Sequence, residues 1–367
     1  MQSANDMFLK TLEELSRMQD VVVRGSSIKE IIGFSDVADG RKPIVHDPTR
    51  NTDIIAQLFE VFWTLGGSSD ITRLKWYLPK APNFSDDGFT WRAGYGPRLV
   101  NWHGRVNQYS TIISAFEKDL YTRQAVISLW DPEQDNIKTS KDYPCNNIIQ
   151  FLYRDDEFHV CVYVRSNDLL WGFSHVDFLC WSLLGQVIGN TIAYNEIPIV
   201  VHWNVGSMHY YNRFNDKISN ILKNNEFKNI ESGIIYPQCH SSITGIEKFY
   251  SLLQLAHDMF VTCNGNVEIP LGYVERMLKE TTPSWSYERY AVIAVAIKFL
   301  LHYRTNGTIS SAIVLDELQS MFETIPEPLD IVAVKLLATV GKVIDFTQIC
   351  WRLNLSKQSI KMIENFM

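Results

Sequence analysis

Asp142-Tyr143-Pro144-Cys145-Asn146-Asn147 and Arg165-Ser166-Asn167-Asp168 bracket two alternating apolar runs, Ile148 to Tyr153 and Phe158 to Val164, which meet at Asp155 and Asp156. Alternation with a period of two, broken by a pair of turn formers, is the pattern of an antiparallel β-hairpin. A hairpin returns the chain alongside its own start, so the spacing predicts that Cys145 and Arg165 lie close together. Cysteine attacks only as the thiolate, and a neighbouring guanidinium favours that form while gripping phosphate oxygens through paired donors. The stretch reads as a nucleophile beside an anion site. Most isolated cysteines are inert core residues, however, and spacing alone leaves both readings standing.

Outward from the hairpin, residues 6 to 19 place Phe8, Leu12, Leu15 and Met18 at helical intervals, and Val21 to Val23 follow as a strand. Thr52 to Leu65 reads as a helix capped by Asn51, with Ile54, Ile55, Leu58, Phe59, Phe62 and Trp63 on one wide apolar face. Glu60 falls nearly opposite that face, so periodicity alone makes it a solvated glutamate. Pro79 to Trp102, rich in Pro, Gly, Asp and aromatics, reads as a long ordered loop. Ala125 to Trp130 is expected as a strand, Asp177 to Ile192 as a buried helix, and Ile197 to Val205 as a strand ending beside His209. Antiparallel strands separated by helices give an α+β domain over residues 1–235. From about Tyr236 the spacing turns helical throughout, in segments broken by Gly and Pro, which predicts a helical extension over 236–367. Two short helical stretches flank Asn354-Leu355-Ser356; without a basic face they read as packing elements and not as a DNA-binding pair.

The chain has 367 residues and a formal charge of −7 with no run of Lys and Arg, which argues against a nucleic-acid polymer as ligand and leaves a single nucleotide as the more plausible anion. Its six cysteines are scattered, with no CxxC pair or Cys/His cluster, so neither a structural metal nor a disulfide framework is expected. The opening Met1-Gln2-Ser3-Ala4-Asn5-Asp6 lacks the basic and apolar regions of a signal peptide, and no membrane-spanning run is evident, which gives a cytoplasmic expectation.

Pro144-Cys145-Asn146, Arg165-Ser166-Asn167-Asp168 with Gly172, and His209-Tyr210-Tyr211 together resemble the active-site set of thymidylate synthase and its pyrimidine hydroxymethylase relatives. Other segments follow in that family's order over about residues 7 to 215. Arg24-Gly25 with Ile31-Ile32-Gly33 resembles the phosphate loop and first strand, and Glu60-Val61-Phe62-Trp63 the helix carrying the catalytic glutamate. Tyr95-Gly96-Pro97 resembles the tyrosine turn, and Arg123-Gln124 the arginine segment that crosses to the other subunit. The resemblance implies an α+β fold with a mixed sheet, a homodimer with shared active sites, a pyrimidine nucleoside monophosphate substrate and 5,10-methylenetetrahydrofolate as one-carbon donor. It gives Cys145 the covalent step, with Glu60, Asn146 and Tyr95 in the catalytic set. Arg24, Arg123, Arg165 and Ser166 take the phosphate, His209 and Tyr211 the sugar hydroxyl, and Asp168 and Gly172 the folate side. Gln124 stands where the family carries a second adjacent arginine, so one phosphate contact is supplied differently.

The base-reading position follows the glycine matched by Gly172. Uracil-using relatives carry asparagine there and cytosine-using relatives aspartate. In Gly172-Phe173-Ser174-His175-Val176-Asp177 the position falls on Asp177 if one residue is inserted and on Val176 if none is. A carboxylate accepts from cytosine's amine, whereas against uracil it meets a carbonyl, a mismatch costing about 1–3 kcal/mol when buried. The favoured expectation is hydroxymethylation of CMP or dCMP. A thymidylate synthase acting on dUMP is the second reading, and a non-catalytic nucleotide-binding protein the third. In thymidylate synthases the terminal residues close over the folate. Here the chain continues to Glu364-Asn365-Phe366-Met367, which favours water as the final acceptor of the one-carbon unit.

Overall fold

Six strands, β1 (Asp20–Val23), β2 (Ser26–Asp39), β3 (Val126–Ser128), β4 (Asn146–Arg154), β5 (Glu157–Asp168) and β6 (Ile199–Tyr211), form one mixed sheet in the order β1-β2-β6-β5-β4-β3. They belong to a computed structural model that describes residues 1–136, 139–193, 197–223, 234–280 and 286–367. The predicted hairpin is present. β4 and β5 pair antiparallel down to Arg154 opposite Glu157, and Asp155 and Asp156 turn with φ of 51° and 59°, both left-handed as a two-residue type I′ turn requires.

The sheet is not wholly antiparallel: β5 and β6 run parallel, joined by a crossover through the helix Phe178–Ala193. That helix lies tight on the sheet, since a Cβ added at Gly185 would come within 2.5 Å of Val160 Cγ2. It continues from Leu169–Asp177, giving 25 residues with an 18-residue window of mean hydropathy 1.2, long and apolar enough to cross a membrane by composition. Here every residue from Phe178 to Gly189 is buried, so the apolar length builds core. β6 is also longer than the expected Ile197–Val205. Pairing with β2 from Asp39 opposite Val200 to Ile28 opposite Tyr211 carries the strand through His209.

Two other expectations are corrected. After helix α1, Ala4–Ser16, helix α2, Ile54–Leu65, is capped not by Asn51, which sits at a left-handed φ of 39°, but by Asp53, whose Oδ1 accepts from the amides of Ile55 and Ala56. α2 is buried along its whole length, so Glu60 is not solvated: its exposure is 7%. The segment Pro79 to Trp102 is not loop throughout, because Ala81–Phe84 forms a 3-10 turn and Tyr95–Val100 a short helix.

The chain divides into two compact units. One comprises Met1–Thr52, Glu60–Ile230 and Ser241–Glu247 and contains the sheet; the other comprises Asp53–Phe59, Glu231–His240 and Lys248–Met367 and is helical. The second unit is centred on Tyr287–Thr305, whose residues Tyr287 to Ile297 are all buried, with Phe260 stacked on Phe299 at 5.2 Å. Asp330 caps the helix Ile331–Gly341 by accepting from Val332 and Ala333, and Tyr290 donates to its other oxygen. Asn354, at a left-handed φ of 50°, separates Phe346–Leu353 from Lys357–Glu364, the two short helices expected there.

Candidate active site

A bulge starts the site. Asn146 pairs with Val164 and Ile148 with Tyr163, so Asn147 is the extra residue, and its carbonyl accepts from the amides of both Leu129 and Trp130. The distortion fixes the direction of Cys145 and Asn146 at the strand's entry. Arg165 returns beside them as the hairpin predicts: its amide donates to Cys145 O at 2.9 Å, its Nε to Pro144 O at 2.8 Å, and its Nη2 lies 3.8 Å from Cys145 Sγ. Tyr95 closes the other side, its hydroxyl accepting from the amides of Cys145 and Asn146 at 3.0 Å and from Asn146 Nδ2 at 2.9 Å. Burial holds the Tyr95 hydroxyl well above the usual phenol range, so it stays protonated.

Burial pushes the Cys145 thiol up to about 11; Arg165 opposes that shift, Asp177 and Asp142 add to it, and Arg24 opposes it from the β1–β2 turn. The resting group is a thiol whose ionisation depends on the cations around it. Arg24 and Gly25, at left-handed φ of 49° and 75°, form that turn.

Leu169–Asp177 is π-helical, with Asp168 Oδ1 accepting from Leu170 and Trp171 at its start. A π turn holds one more residue than an α turn, room for the one residue that the Asp177 alignment inserts. Asp177, and not Val176, faces the nucleophile's neighbour: Asn146 Nδ2 donates to its Oδ1 at 3.0 Å and Asn167 Nδ2 to its Oδ2 at 2.8 Å. Burial pushes the Asp177 carboxyl up to about 6, the two amides oppose it, and Glu60 adds to it. Gly172 has no room for a side chain, since a Cβ there would lie 2.5 Å from Asn167 Nδ2 and 2.7 Å from Asp177 Oδ2.

Glu60 Oε2 lies 3.5 Å from His175 Nε2, and the His175 ring stacks on Trp171 at 4.9 Å, 14° from parallel. Asp168 sits opposite His209 in the β5–β6 register, and Ser166 opposite Ser207. His209 Nδ1 lies 3.2 Å from Ser207 O, with the Tyr211 ring edge-on at 5.5 Å. Burial raises the Asp168 carboxyl above its usual range, and His209 and Arg50 oppose that shift.

Of the expected residues, Cys145, Asn146, Tyr95, Arg165 and Asp177 are joined by direct contacts. Glu60 joins them through the field at Asp177, and Arg24 through the field at Cys145. Arg123 is exposed, its carbonyl accepting from Gln150 Nε2 before β3, and among the described residues no hydrogen bond or ion pair ties it to the Cys145 loop.

Sequence reasoning missed three features. Asn167 lay inside a quoted stretch without a role, as did His175 between Gly172 and Asp177, and Trp171 lay just before Gly172. The third is a buttress: Arg92 and Arg98 both bind Asp135, and Arg92 and the Ala93 amide bind Asp142 at the start of the nucleophile loop. Its members lie some 40 to 50 positions apart with no periodic signal.

The chain is similar in sequence to pyrimidine-nucleotide enzymes. A deoxyuridylate hydroxymethyltransferase of Delftia phage PhiW-14 is 30% identical over 188 residues, 48% of this chain and 51% of that protein. Its counterpart in Bacillus phage SP01 is 33% identical over 180 residues, 45% of this chain and 46% of that protein. The deoxycytidylate 5-hydroxymethyltransferase of Enterobacteria phage T4 is 26% identical over 209 residues, 53% of this chain and 81% of that protein. The chain thus spans about half the length of the two deoxyuridylate relatives. The thymidylate synthase family model matches residues 25–248, the greater part of the chain and the segment that carries every residue of the site except Arg24, and this protein therefore belongs to the thymidylate synthase family.

Proposed function

We propose that the protein is a folate-dependent one-carbon transferase that hydroxymethylates carbon 5 of a cytosine nucleotide, CMP or dCMP. The observation that carries this reading is the carboxyl of Asp177 beside Asn146, next to the Cys145 nucleophile. Arg165, with Arg24 and Ser166, binds the nucleotide phosphate; His209 and Tyr211 hold the sugar hydroxyl. Arg165's charge lowers the cost of ionising Cys145. The Cys145 sulfur then bonds to carbon 6, and the electron pair displaced onto carbon 5 makes that carbon nucleophilic. Tyr95 and the β4 bulge hold the loop in the attacking orientation. Glu60, buried beside Asp177, takes and returns protons at the base. Carbon 5 gives up its hydrogen as a proton, water replaces the folate nitrogen on the transferred carbon to give the hydroxymethyl group, and as the nucleotide is released the sulfur–carbon 6 bond breaks and the ring double bond is restored.

Methylenetetrahydrofolate, when bound, supplies the one-carbon unit that becomes attached to carbon 5. The residues present fit it: Asp168 offers a half-buried acceptor for ring N–H groups, Trp171 is half exposed as an aromatic platform, and Gly172 keeps the approach free of a side chain. We extend the reading to a homodimer, in which Arg123 reaches the partner's phosphate site, to residues 236–367 as a separate helical extension, and to a cytoplasmic location, consistent with six cysteines none of which forms a disulfide.

A second reading is supported by the names of the phage relatives, two of which are deoxyuridylate enzymes. A neutral carboxylic acid carries one donor and one acceptor and pairs with uracil as an amide does. Incubating the protein with methylenetetrahydrofolate and equal CMP, dCMP and dUMP, then weighing the nucleotides, separates the readings. A hydroxymethyl gain on a cytosine nucleotide supports the proposal. The same gain on dUMP assigns the base wrongly, and a methyl gain on dUMP makes the chain a thymidylate synthase.

A further inference from the structure

Asp177 is held at both oxygens, by Asn146 on Oδ1 and by Asn167 on Oδ2. A carboxylate only accepts, so each amide must turn its NH2 towards Asp177 and its carbonyl away. Both Oδ1 atoms are buried and take no hydrogen bond among the described residues. Asn146 is 0% and Asn167 1% exposed, so the bulk of solvent does not reach them. Acceptors buried without donors are rare in folded proteins, and two beside a carboxylate suit a ligand that brings N–H groups.

Cytosine brings an amine beside a basic ring nitrogen; uracil brings one N–H beside a carbonyl. Two-point pairing with Asp177 needs one shared proton for either base. With cytosine that proton can sit on the ring nitrogen, leaving the carboxylate ionised and able to accept from both amides as well. Uracil's carbonyl is too weakly basic to hold it, so the proton stays on an Asp177 oxygen to which an amide already donates. The space around Gly172 keeps the Asn167 amide and the carboxylate in this register.

Resting on the cytosine reading above, we infer that Asn167 is a positioning residue that sets base choice. Its amide on Asp177 Oδ2, matched by Asn146 on Oδ1, keeps the carboxylate in the two-acceptor form that an amino-bearing base satisfies and a 4-carbonyl base does not.

The test needs no folate. Dissociation constants of dCMP and dUMP are measured by calorimetry for the full-length wild type, N167A and N167S, with thermal melting as a check of folding. The expected result is a fall of tenfold or more in the cytosine-to-uracil affinity ratio in both variants, with dUMP affinity changing less than threefold. Equal weakening of both nucleotides, or an unchanged ratio, overturns the inference, because a purely structural asparagine would act on both bases alike. Should one variant fail to melt cooperatively, the ratio in the other decides. The cytosine reading is judged separately: a wild type that prefers dUMP contradicts it, while the change in ratio on substitution still judges Asn167. Wild type that binds neither nucleotide overturns both.

Discussion

At the residue scale the site is a contest of charges around two buried acids. Burial keeps Cys145 a thiol, with Arg165 as the opposing charge at 3.8 Å. Alkylation of Cys145 by iodoacetamide is therefore expected to be slow near neutrality and to climb with pH towards about 11. R165Q, which keeps amide donors for the loop carbonyls but removes the charge, should slow alkylation at any given pH by roughly tenfold, the size of one pKa unit. A faster rate in the variant would contradict the role given to Arg165. Asp177 titrates in the same sense at lower pH. Its carboxyl, pushed up to about 6, is neutral below that pH and ionised above it. Cytosine pairing needs one proton in the pair, so cytosine affinity should fall as pH rises above about 6. D177N should lose that slope and shift preference towards dUMP by tenfold or more in direct competition. Its neighbours Glu60 and His175 are present in both proteins, so a slope that persists in D177N would assign it to them.

At the element scale the hairpin was legible and the π turn was not. Alternating side chains and two turn-forming aspartates carry the hairpin's register in the sequence itself, and Asp155 and Asp156 turn as that pattern demands. A π turn differs from an α turn by one residue in its backbone bonding and leaves no periodic mark. The sequence therefore leaves Val176 and Asp177 both open, and the hydrogen bonds of Asp177 to Asn146 and Asn167 are what favour it. Glu60 was illegible for a different reason: a helical wheel assumes one wet face, and α2 has none. The π turn makes a prediction of its own. G172A would drive a methyl into the Asn167 amide and the Asp177 carboxylate, so we expect a loss of about a hundredfold or more in kcat/KM on cytosine nucleotide, with the Arg165 phosphate site intact. Steady-state kinetics with full activity retained would show that the turn yields and that Gly172 is not needed to hold Asp177.

At the scale of the whole molecule, one sheet face carries the proposed dimer contact. Val126, Ile148 and Tyr163 are 37%, 40% and 45% exposed and lie on that face by register, together with Gln150, Cys161 and His202. An apolar patch of this kind suits association of two copies about a two-fold axis. I148K should convert a sedimenting dimer to monomer and reduce activity, because Arg123 then has no partner site to enter. A monomeric wild type with full activity would remove Arg123 from the phosphate set. The central claim is covalent attack by Cys145, and it is tested most directly by a nucleotide that cannot complete turnover. A 5-fluoro cytosine nucleotide has no hydrogen to release from carbon 5, so with methylenetetrahydrofolate present the sulfur–carbon 6 bond should persist. Peptide mass spectrometry should then find the nucleotide on the fragment containing Cys145 and on no other cysteine. Absence of that adduct while the natural nucleotide is still turned over would contradict the account.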